Sequence, residues 1–108
     1  WKQAIVDAAE TDTVFLNRHT SPSLRALRTE RSEALEFDME TNAMTALIGT
    51  TQELYFGGDM NASLALAGQV VGRIDEIQPV SQIISDCAEE CLEILEQLST
   101  KYSRTVDA

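Results

Sequence analysis

Residues 57–77, GGDMNASLALAGQVVGRIDEI, decide how this chain is read. Gly57-Gly58 forces a turn, because glycine alone enters the left-handed region without steric cost. Asp59 then stands where a side chain caps a helix, predicted over residues 61–72. Ala65, Gly68 and Gly72 keep one face of that helix nearly bare, so a backbone or a flat ring can lie against it. The turn and helix start also offer free N–H groups to an anion. Close packing without any ligand accounts for the same residues, and a glycine-rich turn alone does not decide between the two.

Downstream, residues 73–78 form a short polar link, and Pro79 suits the first turn of a final helix over 79–100. Val80, Ile84, Cys87, Cys91, Ile94 and Leu98 recur in alternating steps of four and three, an apolar seam held for nearly three heptads. Asp86, Glu89, Glu90, Glu93 and Glu96 take the other faces. Such a seam needs a protein surface to lie on, either a barrel flank or a second copy. Cys87 and Cys91 fall within it and are expected to be buried as small apolar residues in a reducing, cytoplasmic compartment.

Upstream, residues 2–10 place Ala4, Ile5, Ala8 and Ala9 on one helical face. Residues 11–16, TDTVFL, end in a β-branched and aromatic run that suits a short strand. No partner strand is apparent in the sequence, so the strand's backbone groups are expected to pair with chain not included here. Ser21-Pro22 looks like a helix start, followed by a helix over 22–36 with Leu24, Leu27, Ala34 and Leu35 as its apolar side. Thr41 or Asn42 caps a further helix over 42–56, interrupted at Gly49-Thr50-Thr51. The tail from Ser99 is expected to fray.

Composition narrows the function. The chain has 108 residues and a formal net charge of −10, with 18 acids against 8 bases. Its basic cluster is Arg18, Arg25, Arg28 and Arg31, whereas residues 32–100 carry Arg73 as their sole base. Nucleic acid requires a concentrated basic face, so neither it nor an anionic membrane is an expected partner. No apolar run reaches the roughly 18 residues of a membrane span. Residue 1 is Trp rather than Met, which implies a start that is processed, trimmed or internal to a longer product. The single histidine, His19, lies just past the predicted strand, but no carboxylate stands near it in sequence to orient it as a base. Arg18, Arg25 and Arg28 suit a cofactor phosphate, although pairing with Glu30 and Glu33 on a solvated helix face is the plainer expectation. No zinc-ligand spacing is present, and neither a catalytic nor a metal-ligating set is assigned.

Gly58-Asp59, Ala62-Ser63, Ala67-Gly68-Gln69, Gly72 and Ile74 together resemble the C-terminal segment of the nitronate monooxygenase family, also called 2-nitropropane dioxygenases. That family includes a flavin-dependent enoyl-acyl-carrier-protein reductase branch. The opening WKQAIVDAAETDTVFL is similar to the family's KQAIV and TDTV segment, so the likeness spans about residues 2–98. Ala62 stands where the family commonly has Gly.

The resemblance implies the late portion of an FMN-binding TIM barrel (an α/β fold) with its helical cap, mainly α in this segment with at most one or two short strands. As one segment over 1–108, it would comprise the end of a barrel-like αβ unit (1–20), a helical cap (21–56), the glycine and small-residue turn and helix (57–78) and the amphipathic helix (79–100). It further implies an oxidoreductase acting on alkyl nitronates or, in the related branch, on enoyl thioesters. FMN is the implied cofactor, with Ser63, Gly68 and Gln69 on its side of the cavity. The implied partner is the remainder of a barrel domain or a homo-oligomer, and the segment alone is expected to be inactive. The alternative is a non-catalytic acidic helical module that self-associates through the Val80–Leu98 seam.

Overall fold

The computed structural model of this protein describes residues 1–48 and 50–103. The chain divides into two compact units, Trp1–Ile77 and Gln78–Ala108.

The first unit is built around a small sheet. Helix α1 (Lys2–Asp7) leads into strand β1 (Thr13–Leu16), which pairs antiparallel with β2 (Leu24–Leu27) in the register Val14 opposite Ala26 and Leu16 opposite Leu24. Helix α2 (Glu30–Glu36) follows, then a 3-10 turn (Ala43–Leu47), helix α3 (Thr51–Tyr55) and a second 3-10 turn (Gln69–Arg73). Residues 65–67 add a third extended segment on the far side of β2. There the Leu27 N–H donates to the Ala65 carbonyl at 2.9 Å and the Ala67 N–H to the Arg25 carbonyl at 3.2 Å, while Ala26 bridges to Leu66.

Alternation along these strands sorts the core into two clusters, as a period of two requires. Val14, Leu16, Ala26 and Leu64 pack with Ala43 and Ala46. Leu27 and Ala65 pack instead with Leu54 and Val71, against Ala4, Ile5 and Ala8 of the N-terminal helix region. The small apolar residues of 62–67 are therefore needed to fit beside a strand, rather than to bare the face of a helix.

This arrangement corrects several sequence expectations. The strand near Val14 is not alone: its partner is β2, inside the segment predicted as a helix over 22–36. Leu24 and Leu27 have the i,i+3 spacing of a helix face, but they serve opposite faces of a sheet. The helix starts later, at a capping box in which Thr29 accepts from the Ser32 N–H and Ser32 accepts from the Thr29 N–H. The third residue of that box is Ser rather than the usual Glu or Gln, which hides the signal. The helix expected over 61–72 is an extended segment followed by a 3-10 turn, because pairing with β2 satisfies its backbone. Likewise, the helix expected over 42–56 is a 3-10 turn and the five-residue α3. Of its expected interruption, Gly49 lies outside the described residues. Asn42 does cap the turn, accepting from the Met44 N–H at 3.0 Å.

The second unit contains helix α4 (Val80–Tyr102) behind Pro79, two residues longer than expected at its C-terminal end. Ser99–Tyr102 are helical, and the tail beyond Ser103 lies outside the described residues. No residue of α4 is buried, and Cys87 and Cys91 are both exposed free thiols, contrary to the expected burial. Among the described residues, no helix is long and apolar enough to cross a membrane.

Candidate functional site: the 57–73 segment

Gly58 adopts φ +79°, so the turn predicted at Gly57-Gly58 is present and needs glycine there. Asp59 closes the turn, its carboxylate accepting from the Asn61 N–H at 3.0 Å. From α2, Arg31 reaches across to donate to the carbonyls of Asn61 and Ala62, the latter at 2.8 Å. Ser63 is fully buried and donates to the Ala46 carbonyl at 3.2 Å. The paired residues 65–67 follow. The chain is thus fixed from Asp59 through Ala67 by side chains and by β2.

At Gly68 the support ends. Gly68 and Gln69 are exposed, and a side chain added at Gly68 would meet open space. Gly72 is the opposite case, since a Cβ there would stand 2.8 Å from the Cα of Glu10. The backbone approach foreseen for the small-residue face therefore occurs at Gly72, against the turn that follows α1. Of the three residues expected on the flavin side, the structure places Gly68 and Gln69 together at the surface and Ser63 inside, with its hydroxyl engaged.

The arginine cluster separates by role. Arg28 contacts Glu33 at 3.2 Å and Glu36 at 3.7 Å, while Arg18 lies 3.9 Å from Glu36. Arg18 and Arg25 also cover the Phe15 ring at 5.4 and 5.8 Å. Arg25 donates to the Thr13 hydroxyl at 3.1 Å. These guanidiniums are committed to carboxylates, a ring and a hydroxyl, as the plainer sequence expectation held for Glu33. The expected partner Glu30 is replaced by Glu36, nearly two helical turns further along.

His19 is half-buried, and its Nδ1 is enclosed without a hydrogen-bond partner. Nearby Asp38 is held below the usual carboxylate range by the Thr41 hydroxyl, by the backbone N–H groups of Glu40 and Thr41, and weakly by His19. The two N–H contacts are 2.9 and 3.0 Å. Sequence reasoning missed Asn17, a buried residue at φ 60° just after β1. Its amide donates to the Pro22 carbonyl and to Asn42, and its side-chain oxygen accepts from the Ala43 N–H at 2.8 Å. The signal available was Asn directly after a strand, because Asn tolerates left-handed backbone. A cleft of about 320 Å³ involves Asp7, Asp12, Arg28 and Met60 but none of Ser63, Gly68 or Gln69. Among the described residues, no three His, Cys, Asp or Glu side chains converge as a metal site.

For a flavin, these residues offer a partial fit. Exposed Gly68-Gln69, on a rigidly held segment, can form one edge of a site, whereas Ser63 can act only through the turn it anchors.

The fold is mainly helical with one short sheet, and it is consistent with a portion of an FMN-binding TIM-barrel fold. The particular likeness is to FabK from Thermotoga maritima, at 33% sequence identity and a TM-score of 0.78, covering 93% of this chain and 33% of that one. A point mutant of the same FabK gives 33% identity and a TM-score of 0.73, covering 93% of this chain and 30% of that one. The chain thus spans about one third of the FabK chains that it matches. No protein-family model and no curated protein matches it. Because β1 has its partner, β2, within the chain, an orphan strand no longer argues for a barrel; the likeness to FabK is the observation consistent with one.

Proposed function

We propose that this chain is part of an FMN-dependent oxidoreductase of the enoyl-reductase type, within the wider nitronate monooxygenase resemblance. The observation that carries the proposal is the likeness to FabK over 93% of the chain at 33% identity. When bound, the flavin would take hydride from a nicotinamide and pass it to an enoyl thioester in one branch, whereas in the other it would take electrons from the nitronate itself and pass them to O₂.

In this proposal Gly68 and Gln69 face the flavin or substrate from the rim. Ser63, through its bond to Ala46, sets the position from which they do so. The remainder of a barrel supplies the other walls and the reacting groups. A cytoplasmic setting belongs to the same proposal and agrees with two unpaired thiols at Cys87 and Cys91.

The direct test is a hybrid in which this chain replaces the third of Thermotoga FabK that it matches. Nicotinamide oxidation is then followed with an enoyl thioester and, separately, oxygen uptake with an alkyl nitronate. Thioester-dependent turnover is expected. Turnover with the nitronate alone would move the chain to the nitronate-oxidising branch, and a folded hybrid that turns over neither compound contradicts the proposal.

A further inference from the structure

The residues that lead into Gly68 and Gln69 are Leu64-Ala65-Leu66-Ala67, a repeat with the period of a strand. Leu64 is fully buried and Ala65 is buried on the opposite face, whereas Leu66 is 44% exposed. Ala26 of β2 lies opposite Leu66. A slip of two residues would set Ala26 opposite Gly68, with Leu66 where Leu64 packs and Ala67 where Ala65 packs. Apolar pattern fixes register when a slip exchanges the two faces, and this slip does not. It would nevertheless carry Gly68 and Gln69 about 7 Å along β2.

Downstream, little opposes the slip. Gly72 stands close against the Glu10 backbone, but it can stay there while the 3-10 turn between Gly68 and Gly72 extends. Going from a rise of about 2.0 Å per residue to about 3.3 Å takes up most of the shift. Ser63 would give up the Ala46 carbonyl, yet that carbonyl keeps the Thr50 hydroxyl at 2.9 Å, and Ser63 would move to the exposed place of Asn61.

Upstream, residues 61 and 62 are held from both sides. Asp59 takes their N–H groups, the Asn61 N–H on its carboxylate at 3.0 Å and the Ala62 N–H on its carbonyl at 3.1 Å. Arg31 takes their carbonyls, at 3.3 and 2.8 Å, through charge-assisted hydrogen bonds. The helix bearing Arg31 is tied to the sheet in turn, since its neighbour Ser32 donates to the Leu27 carbonyl at 2.8 Å. The turn also bonds to α3, with the Gly58 N–H on the Leu54 carbonyl, but α3 meets β2 through the apolar packing of Leu54 on Leu27, which has no stop along the strand.

We infer that Arg31 is a positioning residue, which ties the Asp59 turn to α2 and thereby sets the register of residues 64–67 on β2 and the place of Gly68-Gln69. The inference rests on the proposed reading of Gly68-Gln69 as the flavin-side edge. Ala26 and Leu66 form a pair whose Hα atoms face each other, so NMR of the 108-residue chain reads the register directly. In Arg31→Ala, a second set of cross-peaks is expected for residues 63–69, at about a tenth of the intensity or more, with Ala26 Hα close to Gly68. Adding Leu66→Lys should abolish that set, because a lysine is tolerated at the exposed position but not in the buried place of Leu64. A purely stabilising arginine would show no such rescue. A single, native register in Arg31→Ala overturns the inference, and so does an unfolded Arg31→Ala chain that Leu66→Lys does not restore. In the FabK hybrid, Arg31→Ala should weaken flavin binding by roughly tenfold, with Arg31→Lys, which keeps the charge but not the planar fork, falling between. The two readings fail separately: a second register in the chain with unchanged flavin affinity in the hybrid sinks the flavin-side reading and upholds the register, whereas a single register in the variant sinks the role of Arg31 and leaves the enzyme proposal.

Discussion

Single residues carry specific costs here. Ser32 is fully buried, and its hydroxyl donates to the Leu27 carbonyl at 2.8 Å while accepting from the Thr29 N–H. Ser32→Ala removes the reciprocal cap and leaves a buried carbonyl short of a partner, and a loss of about 1–3 kcal/mol is expected by urea unfolding. Gly72→Ala is expected to destabilise by a similar ~1–3 kcal/mol, because the added methyl meets the Glu10 backbone as well as its side-chain Cγ, and the backbone cannot swing aside. Asp38 gives the acid dependence. Its folded pKa lies below the ordinary value, so the stability it contributes is complete above that ordinary value and is lost as pH falls through the folded one. An NMR titration should show Asp38 protonating below a free aspartate, and the depression should shrink in Thr41→Ala. The glycine turn was legible at this scale because glycine takes the positive φ of Gly58 without steric cost. Asn17 was not, since its partners Pro22 and Asn42 become neighbours only after folding.

Elements were legible where local pattern and tertiary demand agree. β1 shows its β-branched and aromatic run, and α4 shows its heptads behind Pro79. β2 and the 65–67 segment were not legible, because Leu-Arg-Ala-Leu and Ala-Leu-Ala are short runs that favour helix by propensity. Their strand geometry is imposed by pairing, with Arg25 opposite Phe15 and the Ala67 N–H on the Arg25 carbonyl. The sheet is accordingly the part of the fold most sensitive to core packing. Leu64 is fully buried in the cluster with Val14, Leu16 and Ala26. Leu64→Ala is expected to cost about 2–5 kcal/mol, and in so small a domain that is enough to lower the unfolding midpoint sharply. An exposed-face control, Leu92→Ala on α4, should change the stability of the chain alone by less than ~0.5 kcal/mol.

At the scale of the whole molecule, two features of the described residues stand out: the exposed Gly68-Gln69 edge in the first unit and, in the second unit taken by itself, the apolar face of α4. Both are accounted for if the chain is one part of a larger flavin-binding barrel, and the match to a third of FabK supplies the frame. The candidate site was legible as a segment but not as a geometry. The resemblance singled out residues 57–74 as the candidate segment, and the fold separates Ser63, engaged within the core, from Gln69 at the surface. In the hybrid, Gln69→Ala is expected to weaken flavin or substrate binding by roughly tenfold, the worth of one well-placed hydrogen bond.

The most direct measurement of the central claim is flavin retention by the FabK hybrid after gel filtration in the presence of FMN. A folded hybrid that elutes with stoichiometric FMN, while the 108-residue chain elutes without it, is the expected result. A hybrid that unfolds cooperatively yet elutes colourless even from excess FMN would contradict the account.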